Sequence, residues 1–154
     1  MARTEYLLDT HVLFWWMSTP KRLPGEVREL IGDGSGAIWF SVAGAWEMAI
    51  KKTLGRLDYP PNLADVLGKD HIEILPVRLE HALGVAHLPL IHQDPFDRLL
   101  LAQARIEGLT IITADRQIAR YDVPVVKVYV ESAAAINAAS GTVCRTPAPR
   151  PAPS

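Results

Sequence analysis

The segment TEYLLDTHVLFWWM, residues 4–17, places an aspartate between a short β-rich run and a helical pattern. The same order recurs along the chain. Short runs rich in β-branched and aromatic residues alternate with segments of helical periodicity. The later β-rich runs are AIWFS (37–41), IEILPV (72–77), LTIITAD (109–115) and VPVVKVYV (123–130). Such alternation is typical of an α/β domain. We therefore predict an α/β fold with a mainly parallel central sheet.

The bulk composition limits the class of protein. A chain of 154 residues with 49% hydrophobic content is long enough for one domain with a full core. The formal net charge of −1 provides no overall basic field for nucleic acid. The single cysteine, Cys144, excludes an internal disulfide framework, and the apolar run VLFWWM is too short for a membrane span. We expect a soluble cytoplasmic protein without a signal peptide.

The C-terminal end of the chain differs in composition from the rest. After about Ser132 the sequence becomes SAAAINAASGTVCRTPAPRPAPS, in which small residues are followed by alternating prolines. Such a segment cannot supply a hydrophobic core. We therefore place the folded domain at residues 1–131 and interpret residues 132–154 as an extended or disordered tail.

Two aspartates follow directly after runs that resemble buried strands. Asp9 closes TEYLLD, and Asp115 closes LTIITAD. In parallel α/β sheets, ligands bind at the carboxyl ends of the strands, so both are candidate site residues. The alternative is that each caps the helix after it, and capping is compatible with metal binding.

Glu47 is a third candidate. In SVAGAWEMAIKKTLGRL, Ser41 is a plausible N-cap, and Glu47 is the charged member of the helical stripe Ala43, Glu47, Ile50 and Leu54. A charge on a packed face needs a partner. The alternative is a half-exposed Glu47 paired with Lys51, which lies four residues further on.

The stretch HQDPFDRLLLAQA, residues 92–104, contains two aspartates at the start of an apolar helix. Asp94 precedes Pro95 and suits the N-cap. Asp97 begins the stripe that continues through Leu100, Leu101 and Ala104, while Arg98 and Arg105 mark a narrow exposed stripe. We predict that Asp94 caps the helix and that Asp97 points inward; capping by both acids is the alternative.

Four acids from separate elements could therefore meet at one end of the sheet. Two carboxylates about 4 Å apart repel by roughly 4 kcal/mol at an effective dielectric of 20, so protons or cations must compensate them. An all-oxygen acidic cluster suits Mg²⁺ or Mn²⁺, which can activate water and stabilise a phosphodiester under attack. The chemistry indicated is phosphoryl hydrolysis.

At these residues the sequence resembles the PIN-domain family and, within it, the VapC-like ribonuclease toxins of toxin–antitoxin pairs. The similarity covers roughly residues 5 to 130, in the family's order, through LLDTHVLFW, SVAGAWEMAIKKTLGRL, HQDPFDRLLLAQA and TIITAD. The resemblance implies a three-layer α/β/α fold, Mg²⁺- or Mn²⁺-dependent RNA cleavage, a homodimer and an inhibitory antitoxin that inserts into the active-site groove. It also implies a catalytic, metal-binding quartet of Asp9, Glu47, Asp97 and Asp115, with Thr113 as a polar helper.

Other residues near the quartet are candidates for substrate contacts. His11 could face the substrate, whereas the other histidines show no zinc spacing and are assigned to solvent or structural roles. Lys51, Arg98 and Arg116 lie close to the acids in sequence, with Lys52 and Arg56 further along; a solvated helix face is the alternative. The four tryptophans are expected in the core or a dimer contact. Gln117 stands where certain relatives carry a further acid, which leaves a second metal unassigned.

Two other functions are alternatives for a chain with this pattern. The first is a non-catalytic interaction module of the same fold, which would normally have lost one of the four acids. The second is a receiver-like phospho-acceptor domain, which needs an acidic pair after its first strand, where this chain has Asp9, Thr10 and His11. Both features favour the nuclease.

Overall fold

The central sheet has five strands, all parallel. In the computed structural model, which describes residues 3–34 and 36–128, the strands are β1 (Glu5–Leu8), β2 (Ala37–Ser41), β3 (Ile72–Leu75), β4 (Thr110–Thr113) and β5 (Val125–Lys127). Their order across the sheet is β3-β2-β1-β4-β5. The predicted parallel α/β sheet is confirmed. Because β1 is central, the residue after it lies near the middle of the carboxyl edge.

Helices connect the strands as the sequence periodicity predicted. The α-helices of the described ranges are α1 (Thr10–Ser18), α2 (Gly25–Gly32), α3 (Val42–Thr53), α4 (Leu63–Lys69), α5 (Leu79–Gly84) and α6 (Pro95–Glu107). Ser41 caps α3 as predicted, since its hydroxyl accepts from the Ala43 amide at 2.9 Å. The segment RQIARY, residues 116–121, has the periodicity of a short helix but forms a single 3₁₀ turn at Ile118–Arg120.

Side chains of the strands alternate between two hydrophobic cores, one on each face of the sheet. Leu8 and Ile112 pack into one core with α1 and α2, through residues that include Val12 and Val27. Leu7 and Ile111 point the other way and pack with residues of α6. This alternation follows from the two-residue period of a strand. The sheet is therefore covered by helices on both faces, which confirms the three-layer α/β/α sandwich.

The buried face of α3 is rotated from the predicted stripe. The buried residues are Ala43, Gly44, Glu47 and Met48, whereas Ile50 is 37% exposed and Leu54 is 59% exposed. The prediction that Ile50 and Leu54 pack inward is therefore wrong. At 100° per residue, the centre of the observed face lies between Gly44 and Glu47, and Ile50 lies about 90° from that centre. Leu54 is the C-cap residue and follows the last residue of α3. Glu47 is nevertheless among the buried residues of the observed face.

The predicted tail, residues 132–154, lies outside the described residues, as does Cys144. No helix in the described ranges has the length and apolar character needed to cross a bilayer.

Gly44 sets how closely α3 approaches its neighbours. A Cβ atom added there would lie 2.7 Å from Cε1 and Cζ of Phe40 and 3.0 Å from Oγ1 of Thr10. Phe40 is fully buried, and Thr10 directly follows Asp9. Gly44 therefore allows the helix that carries Glu47 to pack against the segment that carries Asp9.

We expect Gly44→Ala to destabilise the protein by about 1–3 kcal/mol, the usual cost of overpacking a core. The matched control is Gly68→Ala in α4, where an added Cβ meets nothing within 4 Å. There alanine should stabilise by about 0.5–1 kcal/mol through helix propensity. Thermal melting of both variants measures the difference. Equal effects of the two substitutions would show that the close approach at Gly44 is unimportant.

Candidate functional site

The four predicted acids lie within electrostatic reach of one another at the carboxyl edge of the sheet. Asp9 follows β1, Asp115 follows β4 after one residue, Glu47 lies in the second turn of α3, and Asp97 lies in the first turn of α6. After burial, which is the largest cause, the negative charges of Asp9, Asp115 and Glu47 each raise the pKa of Asp97. The fold thus brings acids from four elements into one cluster.

Asp9 is buried, with 4% of its surface exposed. It occupies the N-cap position of α1, but its side chain makes no capping hydrogen bond. Instead the Thr113 hydroxyl donates to its Oδ2 at 2.7 Å. Burial raises the pKa of Asp9, the Thr113 hydrogen bond and the charge of His11 oppose this, and Glu47 and Asp115 raise it further. The side chain of Asp9 therefore faces the cluster, not the helix end.

Asp115 caps the turn that follows it and also contacts His92. Its Oδ1 accepts from the Gln117 amide at 2.7 Å and caps the turn that follows. Its Oδ2 lies 2.8 Å from Nε2 of His92. Its own amide donates to Thr113 Oγ1 at 2.9 Å. Thr113 therefore connects Asp9 and Asp115 through one hydroxyl group.

Glu47 forms the ion pair that was considered as an alternative. Its Oε2 lies 3.0 Å from Nζ of Lys51. Glu47 is nevertheless buried, and its charge raises the pKa of both Asp9 and Asp97. The pairing and the membership in the cluster therefore coexist.

The two aspartates at the start of α6 differ as predicted. Asp94 caps the helix, since its Oδ1 accepts from the Phe96 amide at 2.8 Å and from the Asp97 amide at 3.3 Å. The Asp97 carboxylate instead has its Oδ2 2.9 Å from Nε2 of His92. Burial, followed by the charges of Asp9, Asp94, Asp115 and Glu47, raises the pKa of Asp97 to about 9.

His92 lies within the cluster of acids, a position that the predicted solvent or structural role does not include. Its Nε2 lies between the Oδ2 atoms of Asp97 and Asp115. These three side chains offer ligand atoms within 4.8 Å of one another. The segment folds back so that Nδ1 accepts from the Asp94 amide at 3.2 Å. The sequence signal that could have identified His92 is its position two residues before Asp94, the N-cap of α6.

Arg98 is not a substrate-facing cation, which corrects the prediction. Only 9% of it is exposed, and its guanidinium donates to the carbonyls of Val85, Leu88, Pro89 and His92 and to the Tyr121 hydroxyl. The segment that includes residues 85–92 covers this side of α6. The long side chain thus binds carbonyl oxygens and cannot reach a phosphate.

The remaining predicted residues are placed as follows. His11 is exposed beside Asp9, and Arg116 is exposed after Asp115. Trp46 is 58% exposed and packs edge-to-face against Phe96, with the ring centroids 5.2 Å apart. The prediction of a position in the core is therefore wrong for this tryptophan.

Comparison with known proteins gives a consistent family. A family model described as PIN domain matches residues 6–124. Ribonuclease VapC22 of Mycobacterium tuberculosis is 29% identical over 122 residues, which cover 75% of this chain and 90% of the relative.

Solved structures share the fold. A VapBC2 complex from Rickettsia felis, bound to a DNA fragment from its promoter, has a TM-score of 0.63 at 16% identity and covers 81% of this chain and 99% of that chain. A DNA-bound VapBC from Salmonella typhimurium has a TM-score of 0.60 at 20% identity, and the match covers 80% of this chain and 98% of that chain. At these identities the likeness shows the fold alone.

The raised pKa of Asp97 predicts how stability depends on pH. Between its ordinary pKa of 3.8 and about 9, the folded protein retains a proton that the unfolded chain releases. This contribution to stability is complete below about pH 4 and is lost as the pH rises to about 9. In chelator, the melting temperature should therefore fall between pH 5 and pH 9. Asp97→Asn should reduce this fall by several degrees, on the order of 1 kcal/mol or more.

Asp94→Asn is the matched control, because asparagine caps about as well as aspartate. It should keep most of the pH dependence of the native protein. The assignment of the raised pKa would be wrong if Asp97→Asn lost stability with pH as steeply as the native chain.

Proposed function

Because the chain belongs to the PIN domain family, we propose that it is a metal-dependent endoribonuclease of the VapC type, restrained by an antitoxin. The observation that carries this proposal is the cluster of four acids at the carboxyl edge of the sheet, in which Asp9 and Glu47 are buried and Asp97 and Asp115 are partly buried. A non-catalytic module would have no need to hold all four acids together against their repulsion.

The side chains of the cluster fit a divalent cation. Asp9 and Asp97 both have raised pKa values, caused first by burial and also by neighbouring negative charge. Lys51 contacts Glu47 at the edge of the group. Carboxylate oxygens are the preferred ligands of Mg²⁺ and Mn²⁺. We propose that these four acids hold Mg²⁺ or Mn²⁺.

The chain's own residues prepare the site for hydrolysis. A bound cation would lower the pKa of a water molecule and stabilise the charge that develops on the phosphodiester. Thr113 holds the Asp9 carboxylate by a hydrogen bond. Asp97, with a pKa of about 9, must release a proton when it becomes a ligand, so affinity for the cation should increase with pH. His11, Lys51 and Arg116 are the proposed contacts to RNA.

The substrate and partners are proposed from the relatives. The curated relative is named a ribonuclease, and the similar structures are VapBC complexes. We propose RNA as substrate, a small antitoxin as partner and a homodimer as the assembly. Leu79 and Leu83 on α5 are 75% and 63% exposed. Two exposed leucines on one short helix support a contact with another protein chain.

Cleavage of RNA should require Mg²⁺ or Mn²⁺. Excess EDTA should abolish it, and added Mg²⁺ should restore it. Asp97→Asn should lower the rate by at least the roughly 10- to 100-fold that loss of a metal site's outer partner costs, whereas Asp94→Asn should keep it, because only the cap is replaced. Cleavage is measured on labelled RNA, and the cut sites are mapped from 5′ ends of cellular RNA after brief induction.

The metal mechanism is wrong if the purified protein, free of contaminating ribonucleases, cuts RNA equally well in excess chelator. Normal cleavage by Asp97→Asn would reduce the quartet to a trio.

The antitoxin should bind the acidic groove through an arginine or lysine at the proposed cation position. Co-expression with the adjacent small reading frame, followed by affinity pull-down, should recover a complex. Replacing that basic residue of the partner by alanine should weaken the complex and restore growth arrest. If the neighbouring product neither binds nor relieves arrest, the toxin role is lost while nuclease activity stays testable.

A further inference from the structure

The imidazole of His92 lies between two acids of the proposed cation site. Nε2 is 2.8 Å from Oδ2 of Asp115 and 2.9 Å from Oδ2 of Asp97. The His92 side chain is 16% exposed, and so is that of Asp97. The ring therefore contacts both carboxylates in a largely enclosed position.

The hydrogen bonds of the ring define which nitrogen carries the proton. Nδ1 accepts from the backbone amide of Asp94, so in this arrangement it carries no hydrogen. A neutral imidazole then has its hydrogen on Nε2, which donates to the carboxylates. The nitrogen that faces the acids is therefore a hydrogen-bond donor and cannot at the same time be a metal ligand.

The backbone of His92 is held by buried groups. Its amide donates to the Tyr121 hydroxyl at 2.7 Å, and its carbonyl accepts from Nη1 of Arg98 at 3.4 Å. The Tyr121 hydroxyl in turn donates to the Pro89 carbonyl at 3.0 Å. The backbone position of the residue is thus determined by a network within the fold that does not include the contacts of the ring.

We propose that His92 is a positioning residue that takes the place of the cation in the metal-free protein: its Nε2–H bridges Asp97 and Asp115 and moves away when a divalent cation binds. This inference rests on the proposed function. A Mg²⁺ ion lies about 2.0–2.1 Å from its oxygen ligands. An ion shared by these two Oδ2 atoms would therefore lie against the Nε2 hydrogen, and the cation and the N–H group cannot occupy the same space.

The alternative is that His92 itself becomes a ligand through Nε2. The ring would then have to carry its hydrogen on Nδ1 and lose the hydrogen bond from the Asp94 amide. Mg²⁺ also prefers oxygen to imidazole nitrogen. Both points favour displacement over coordination.

Titration of the full chain with Mn²⁺ in a calorimeter separates these possibilities. His92→Ala removes an interaction that only the metal-free state makes, so it should bind Mn²⁺ about tenfold more tightly, the scale of one hydrogen bond to a charged group. Its melting temperature without metal should fall, and saturating Mn²⁺ should close most of the difference from the native chain. His92→Gln, which keeps a side-chain N–H donor, should lie between the two.

His87→Ala is the matched control, because His87 is an exposed histidine five residues earlier in the same segment. It should bind Mn²⁺ like the native chain. Weaker binding by His92→Ala would identify a ligand and overturn the inference, and so would unchanged binding by both His92 variants. If the native chain itself binds no Mn²⁺, the proposed metal-dependent function fails, which is a different result from normal native binding without a His92 effect.

Discussion

Repulsion between carboxylates is the constraint that organises this end of the molecule. Ligand atoms of Asp97 and Asp115 lie within 4.8 Å of one another, a separation at which two negative charges repel by about 3–4 kcal/mol at an effective dielectric of 20. Each acid has a neighbour that reduces this cost. Thr113 donates to Asp9, Lys51 pairs with Glu47, and His92 contacts both Asp97 and Asp115. The cluster is therefore only partly compensated by the chain itself. Burial first, and then the charges of the neighbouring carboxylates, raise the pKa of Asp97.

Holding such a cluster requires a scaffold that does not relax, and buried polar groups provide it. Ser41 caps α3, and its hydroxyl also donates to the buried Gln103 of α6. Gln103 in turn donates to the carbonyl of Pro76. The helix that carries Glu47 is thus bonded to the helix that carries Asp97. Buried hydrogen bonds of this kind are costly to leave unmade, so they specify one arrangement of the two helices.

The strands of the sheet and the separate roles of the two aspartates at the start of α6 could be predicted from local sequence signals. The strands follow β-rich runs, and the difference between Asp94 and Asp97 follows from capping chemistry and helix periodicity, because both act over a few residues. His92 and Arg98 could not be placed in the same way. Their environments are created by the segment around residues 85–92, which folds back over α6. A helical pattern shows which side of a helix is polar, but it does not show that another segment covers that side.

Folding stability does not explain why these acids are present. Asp94 and Ser41 improve the structure, since each satisfies backbone amides at the start of a helix. Asp9 and Asp97 have the opposite effect, because their burial and mutual repulsion favour the protonated form over the charge that the free side chain carries at neutral pH. A neutral side chain of similar shape would cost less at either position. Acidic residues whose charged form is disfavoured by the surrounding fold are typical of sites where function, not stability, determines the choice of side chain.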